Sequence, residues 1–458
     1  MLDKLKTLLA VFQSAHYDKS VFRPWLARHP HPQDWNGFKN LISLDWTPKA
    51  RIIFLTAIPL SLGLTRLLPG AVLSSSVFVK PIEKAYQSWL TFLTRRRVRK
   101  HRPKIVVGIT GSFGKTTAKE IAATILSQKF KIHKTPENVN TLLGVARWMV
   151  KEKFNLDDIL IVEMGAYRRG DIRRLAKIIR PDIAVLTGIN EAHFERFGGI
   201  ANTQEAKCEI FDSLKKGGVG FWNKDSKLAD EAVRHRLGRW LAKGVVMVPY
   251  GEEGSGNIKV KLTPGEETGS TIELSKTGEP NWRIETKIAL IGRHHAQALG
   301  AALTLAEKVG MNINEIKRGL TALRPLERRL EPSYSGKNLI IDDSYNITLD
   351  GVLAAVDFLG GVRRRKIGVF AGIPEGGGEA SRINRELGEK ISRTFEMIIL
   401  RQTPVIEDII AGLCDGKFPE ARIMRYTEKE EIKALLAGIV KEGDCIYFSA
   451  YDWPAVYL

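Results

Sequence analysis

Residues 111–117 read GSFGKTT. The apolar, β-branched run IVVGIT (105–110) precedes them, and the helical pattern AKEIAATILSQKF follows. Strand, glycine turn and helix together make the setting of a phosphate loop. Gly111 and Gly114 let the backbone approach phosphate oxygens, with Ser112 and Thr117 completing the loop. Lys115 can set its ammonium on the outer phosphates, and the Thr116 hydroxyl is placed for Mg²⁺. The loop is shorter than the common GxxxxGK[ST], with two residues between Gly111 and Gly114. A tight turn with a solvated lysine has the same letters. The flanking strand and helix favour nucleotide binding.

Two further apolar strands end in groups of interest. ILIVEMGAYRRGDI (159–172) carries Glu163, and PDIAVLTGINEAHFERFGG (181–199) carries His193. In an open parallel sheet, ligands gather beyond the carboxyl ends of strands, so both belong on the rim of the phosphate loop. Singly, such a Glu is a cap and such a His is structural. On successive strands beside a phosphate loop they become candidate metal ligands. TPENVNTLLG (135–144) has turn chemistry at Asn138 and Asn140, and a helix containing EAKCEIF (205–211) follows His193.

TGSFGKTT, TPENVNTLLG, EMGAYRRGDI, TGINEAHFERFG and EAKCEIF occur in the order and spacing of the Mur ligases, the ATP-dependent amide-forming enzymes of peptidoglycan synthesis. The chain resembles that family over about residues 105–450, and most resembles its MurF branch, which joins D-Ala-D-Ala to UDP-MurNAc-tripeptide. The resemblance implies that Lys115 contacts the β- and γ-phosphates. It implies that Thr116 and Glu163 hold one Mg²⁺, and that His193 holds a second with a carbamylated Lys207. A lysine ammonium cannot ligate a cation, but its CO₂ adduct is a carboxylate. The implied reaction transfers the γ-phosphoryl group to a carboxylate, and an amine then attacks the acyl phosphate.

Later segments resemble the same family with departures. IGRHHAQALGAAL (291–303) stands where the family has GRHN-x-x-N-A-L-A-A, so His295 and Ala298 replace two asparagines. The resemblance implies that His294 and His295 lie at the nucleotide, with His295 in place of the asparagine that helps hold the adenine. In RPLERRLEP (324–332), Arg329 matches a family arginine while Arg328 replaces its glycine. NLIIDDSYNITLDG (338–351) resembles the MurF signature DDSYNANP, which places Asp343, Tyr345 and Asn346 toward nucleotide and amine. KIGVFAGIPEGGGEASRINRELGEKI (366–391) parallels a GDMxELG stretch, and GDCIYFSAYDWPAVYL (443–458) lacks the family's Lys-Gly-Ser lysine. The central set is intact and the amine-selecting set is eroded.

These groups must be positioned by α/β architecture. A central P-loop domain with a parallel sheet and a β-rich extension is expected over 105–322. A smaller Rossmann-like α/β domain is expected over 323–458, with ATP between the two. Residues 1–104 hold 18 Lys/Arg against 5 Asp/Glu, a net of +13 out of the chain's +19. That concentration argues against a nucleic-acid groove through the main body. Residues 52–79 give 28 residues with a single charge, Arg66, followed by PIEKAYQSWLTFL and the basic run RRRVRKHRPK (95–104). The pattern reads as a tilted span, or a re-entrant hairpin around Pro59, Pro69 and Gly70, with a flank drawn to an anionic membrane surface. The alternative is a buried helical hairpin with a solvated basic linker. The expected location is the cytoplasmic face of the cell membrane. His29 and His31 in RHPHP read as a surface loop. Cys208, Cys414 and Cys445 form no paired motif, so neither disulfides nor structural zinc is expected.

The expected partners are a muramyl-peptide-like acyl donor, an amino acid or dipeptide amine, and the membrane surface, but no nucleic acid. Two rivals stay open: a Mur-like ligase with a lipid-linked donor, and a non-catalytic ATP-binding scaffold at the membrane.

Overall fold

The structure is a computed structural model that describes residues 68–450, apart from 191–198, 252–256, 266, 346 and 374–378, and parts of 2–57. It divides into two compact units, Met1–Leu93 and Thr94–Leu458. In the first unit, the helix Leu2–Ser14 buries Leu5, Leu8, Leu9 and Phe12. Their spacing puts them on one helical face. The helix Leu68–Lys100 takes in Pro69, Gly70 and Pro81 and runs on through the basic stretch. Among the described residues, no helix is long and apolar enough to cross a membrane. The expected turn region around Pro59 and Arg66 lies outside the described residues.

Among the described residues, the second unit holds three sheets. In the first, β1 (Ile105–Thr110), β2 (Ile132–Lys134), β3 (Ile159–Glu163), β4 (Ile183–Leu186), β5 (Val219–Asn223) and β6 (Val246–Tyr250) lie in the order β2-β3-β1-β4-β5-β6. All five pairings are parallel. β1, β3, β4 and β5 are buried on both faces, which is why they read as unbroken apolar runs. One face packs against the helices Lys115–Leu126 and His295–Lys308, and the other against Asp171–Ile179 and Ile200–Asp212. Val246–Tyr250 is the edge strand of this sheet, and the β-rich extension expected within 105–322 follows it. The extension itself is a three-stranded antiparallel sheet of β7 (Ile258–Pro264), β8 (Ser270–Lys276) and β9 (Glu279–Ile288). Its alternating burial follows from having one face on the core.

The third sheet orders β10 (Glu331–Ser335), β11 (Asn338–Asp342), β12 (Lys366–Phe370), β13 (Met397–Arg401), β14 (Ile423–Tyr426) and β15 (Cys445–Ser449) as β10-β11-β15-β12-β13-β14. Only β10 runs antiparallel to its neighbour. The entry to β10 is strained. Arg328 and Leu330 have φ of 57° and 46°. Arg328 therefore occupies a left-handed position that a glycine adopts without penalty, at a cost of roughly 1–2 kcal/mol. Its guanidinium is anchored on Ser344 Oγ at 3.0 Å, and its N–H donates to Glu331 Oε2 at 2.8 Å.

Candidate active site

The phosphate loop joins β1 to the helix Lys115–Leu126. Gly114, at φ 74°, turns the chain into the helix. Gly111 is required by space, since a Cβ there would lie 2.1 Å from Thr187 Oγ1. Backbone is thus exposed to a ligand where side chains would block it. Lys115 Nζ donates to Gly111 O at 2.9 Å and Ser112 O at 3.0 Å, which keeps the ammonium on the loop. Ser112 Oγ is buried and has no protein partner. Thr117 is half-buried in the first helical turn.

Glu163 ends β3 and meets the loop. Thr116 donates to its Oε2 at 2.9 Å and Asn140 Nδ2 to its Oε1 at 3.1 Å. Lys119 Nζ lies 3.3 Å from Oε2 and also donates to Thr135 O at 2.9 Å. Burial alone would raise the Glu163 carboxyl, but Lys119, Lys115, Asn140 and Thr116 outweigh it and hold the group below its ordinary value. Asn140 drew notice in the sequence only as turn chemistry, and Lys119 and Thr135 drew none. Lys119 was findable: it lies one helical turn from Lys115 and Thr116, on the same face.

Lys207 is buried in the helix Ile200–Asp212. Burial, with repulsion from Lys115, pushes its ammonium well below the usual lysine value, against the pull of Asp171 and Glu163. These influences place it in the same electrostatic neighbourhood as the loop. His193 lies outside the described residues, and among the described residues no cluster of three His, Cys, Asp or Glu could hold a metal. The oxygen pair of Thr116 and Glu163 nevertheless fits a hard cation such as Mg²⁺. The orphaned Ser112 hydroxyl and the crowded Gly111 cradle fit a phosphate group.

His294 and His295 open the helix His295–Lys308 with ring centroids 4.0 Å apart. Burial lowers His294 to about 4, and lowers His295 well below its usual value, so both are neutral at pH 7. The Nδ1 atoms of both rings are buried without a protein partner. Arg329 lies close enough to depress His295 further. The Arg329 guanidinium stacks 3.9 Å from the Tyr345 ring centre and reaches Glu137 Oε1 at 3.2 Å. Tyr345 Oη donates to Asn138 Oδ1 at 2.7 Å. The third sheet is thereby joined to the loop after β2.

Asp343 has both carboxyl oxygens engaged, by the Leu330 N–H at 3.2 Å and the Tyr447 hydroxyl at 2.9 Å. Burial, partly opposed by those bonds, raises it to about 7. Its visible role is to brace the strained turn at 328–330. Asn346 lies outside the described residues, as do residues 451–458 of the segment that lacks the family lysine. Asn384, in the GDMxELG-like stretch, is buried and ties Ile373 through its N–H at 2.8 Å and its C=O at 3.1 Å.

Residues 109–306 match the Mur ligase middle domain, the segment that supplies the loop, Glu163, Lys207 and the histidine pair. Residues 109–306 are thus a Mur ligase middle domain. A Synechocystis UDP-N-acetylmuramoyl-tripeptide–D-alanyl-D-alanine ligase is 28% identical over 348 residues, 75% of this chain and 71% of that protein. The Escherichia coli ligase of the same name is 30% identical over 64% of this chain and 63% of its own length. The MurF ligase of Thermotoga maritima, solved in complex with ADP, superposes with a TM-score of 0.67 at 26% identity, covering 80% of each chain. Sheet order, phosphate loop and the third sheet thus all belong to a Mur-ligase fold.

Proposed function

We propose that this chain is a Mur ligase that joins the amine of D-Ala-D-Ala to the free carboxylate of a UDP-linked muramoyl tripeptide at the expense of ATP. The observation that carries the reading is the network in which Thr116, Asn140 and Lys119 converge on Glu163 beside the Lys115 ammonium. Residues 105–322 and 323–458 act as the two working domains, with the nucleotide between them.

The phosphate loop holds ATP, and Lys115 neutralises charge gathering on the transferred phosphoryl group. The donor carboxylate takes that group, and ADP leaves. The amine then forms the C–N bond, inorganic phosphate departs, and the amine loses a proton. Thr116 and Glu163 would hold Mg²⁺, which when bound offsets phosphate charge. Lys207 stands ready for carbamylation, because burial favours its neutral amine, the form that adds CO₂ with loss of one proton. With His193, the carbamate would hold a second cation. Arg329, Tyr345, His294 and His295 would line the nucleotide, and Asn346 the amine end. Among the ligases in the comparison, the Thermotoga protein holds ADP. The basic run at 95–104 favours work at the cytoplasmic face of an anionic membrane.

The test is ADP release with UDP-MurNAc-tripeptide and D-Ala-D-Ala, each omitted in turn. Turnover requires both substrates, and Lys115→Ala lowers kcat/KM by at least ~100-fold. ADP release indifferent to the amine, or unchanged in the variant, overturns the assignment.

A further inference from the structure

The basic run after residue 94 does not simply flank the first unit. Thr94 donates to Ala146 O at 3.3 Å, and Arg97 Nε to Glu152 O at 2.9 Å. Val98 is buried in the core beneath the first sheet. With these side chains turned inward, Arg95, Arg99 and Arg102 line a cavity of about 950 Å³.

The other walls are also basic. Arg173 and Lys177 come from the helix Asp171–Ile179, and Arg180 follows it. Lys215 and Lys216 come from the turn before β5. Two carboxylates reach the cavity, and both are engaged. Asp182 accepts from Arg102 at 2.6 Å and from the Val106 N–H at 2.9 Å. Asp212 accepts from the Trp240 indole at 2.7 Å and pairs with Arg239. Arg173 lies 3.5 Å from Glu209. Among the described residues, no ion pair occupies Arg95, Arg99, Lys177, Arg180, Lys215 or Lys216.

The cavity faces the amino ends of β1, β4 and β5, since Arg102, Arg180–Asp182 and Lys215–Gly218 each precede one of them. The phosphate loop is at the carboxyl end of β1. A six-residue strand separates these rims by roughly 20 Å. ATP in the loop therefore cannot neutralise the cavity.

Cations gathered at the C-terminal end of the helix Asp171–Ile179 are favoured by its dipole. That accounts for Lys177 and Arg180, but not for arginines brought from Leu68–Lys100 and lysines from a third segment. Guanidinium forks converging on one concavity suit phosphate oxygens, which accept two bonds from each. We propose that this cavity is a second anion site, taking a phosphate or diphosphate group on the rim opposite the phosphate loop. The group is carried either by a soluble ligand or by a lipid head group.

The experiment uses the full chain with Lys115→Ala, which cripples the phosphate loop. Inorganic pyrophosphate is titrated calorimetrically, and co-sedimentation is measured with phosphatidylcholine vesicles with and without phosphatidylglycerol. Adding Arg99→Glu and Lys177→Glu lowers the affinity at least ~10-fold. Loss of pyrophosphate binding identifies a soluble phosphate ligand. Loss confined to the anionic vesicles identifies the head group. If the charge-reversed protein is misfolded by circular dichroism, Arg99→Gln with Lys177→Gln replaces it. Absence of binding in the parent, or binding unmoved by either pair of changes, overturns the proposal.

Discussion

At the residue scale, Glu163 is the side chain on which the site turns. It collects Thr116, Asn140 and Lys119 while only 3% exposed. Glu163→Gln keeps the shape and removes the charge. Breaking a buried pair by removing one partner costs ~3–5 kcal/mol. Lys119 keeps Glu120 at 3.5 Å and the Thr135 carbonyl, so the low end of that range is expected in chemical denaturation. Magnesium-dependent nucleotide binding should weaken alongside it; retention of both stability and magnesium dependence would remove Glu163 from the centre of the site. Asp343 makes a second case. Its folded value of about 7 exceeds the ordinary 3.8, so between those values the folded state binds more protons than the unfolded one. Its contribution is fully present below about 3.8 and is lost as pH rises through about 7. Asp343→Asn can still accept from Leu330 and donate to Tyr447, so it should flatten the fall in stability between those pH values. An unchanged pH slope would contradict a neutral acid at Asp343.

At the scale of elements, most of the framework was legible. Loop, strand and helix at 105–126 announce themselves because a phosphate cradle needs glycine, lysine and hydroxyl at fixed places. Lys119 and Tyr447 escaped notice because each sits in an ordinary helix or strand pattern, and only packing brings them to Glu163 and Asp343. The membrane reading of 52–79 rested on hydropathy, which cannot tell a buried face from a lipid-facing one. In the structure, residues 68–79 belong to a helix that continues into the arginine run. One contact was invisible in sequence: the helices Ala380–Ile391 and Ile406–Asp415 meet backbone to backbone. A Cβ on Gly412 would lie 1.9 Å from Arg385 O, and one on Gly388 would lie 2.1 Å from Ile409 O. Gly412→Ala should therefore force the helices apart and cost ~1–3 kcal/mol in thermal or chemical denaturation. A neutral effect would mean that the two helices can slide without penalty.

At the scale of the molecule, several polar contacts among the described residues tie the third sheet to the first sheet and its β-rich extension. Tyr334 and Arg364 hold Glu267 on the β-rich extension, with Arg364 Nε at 2.6 Å. Asn190 reaches Asp350 at 2.9 Å. Arg329, with Glu137, Tyr345 and Asn138, makes the contact nearest the phosphate loop. Polar contacts of this kind can be exchanged for contacts to a ligand, and a ligand that touches both sides then favours the closed arrangement. Arg329 also supplies positive charge felt by Lys115 and His295. Arg329→Ala thus removes a stacking partner, an ion pair and a charge facing the nucleotide at once. Arg329→Lys restores the charge but not the planar stack. If Arg329 couples closure to nucleotide, Ala raises the KM for ATP and shrinks the thermal shift that ATP produces, while Lys recovers only part of either. The magnitude expected is ~1–3 kcal/mol, or about 5- to 150-fold in affinity, the worth of a charge-assisted contact. Thermal shift with and without nucleotide separates this from a structural role, since a merely structural arginine lowers both melting temperatures equally.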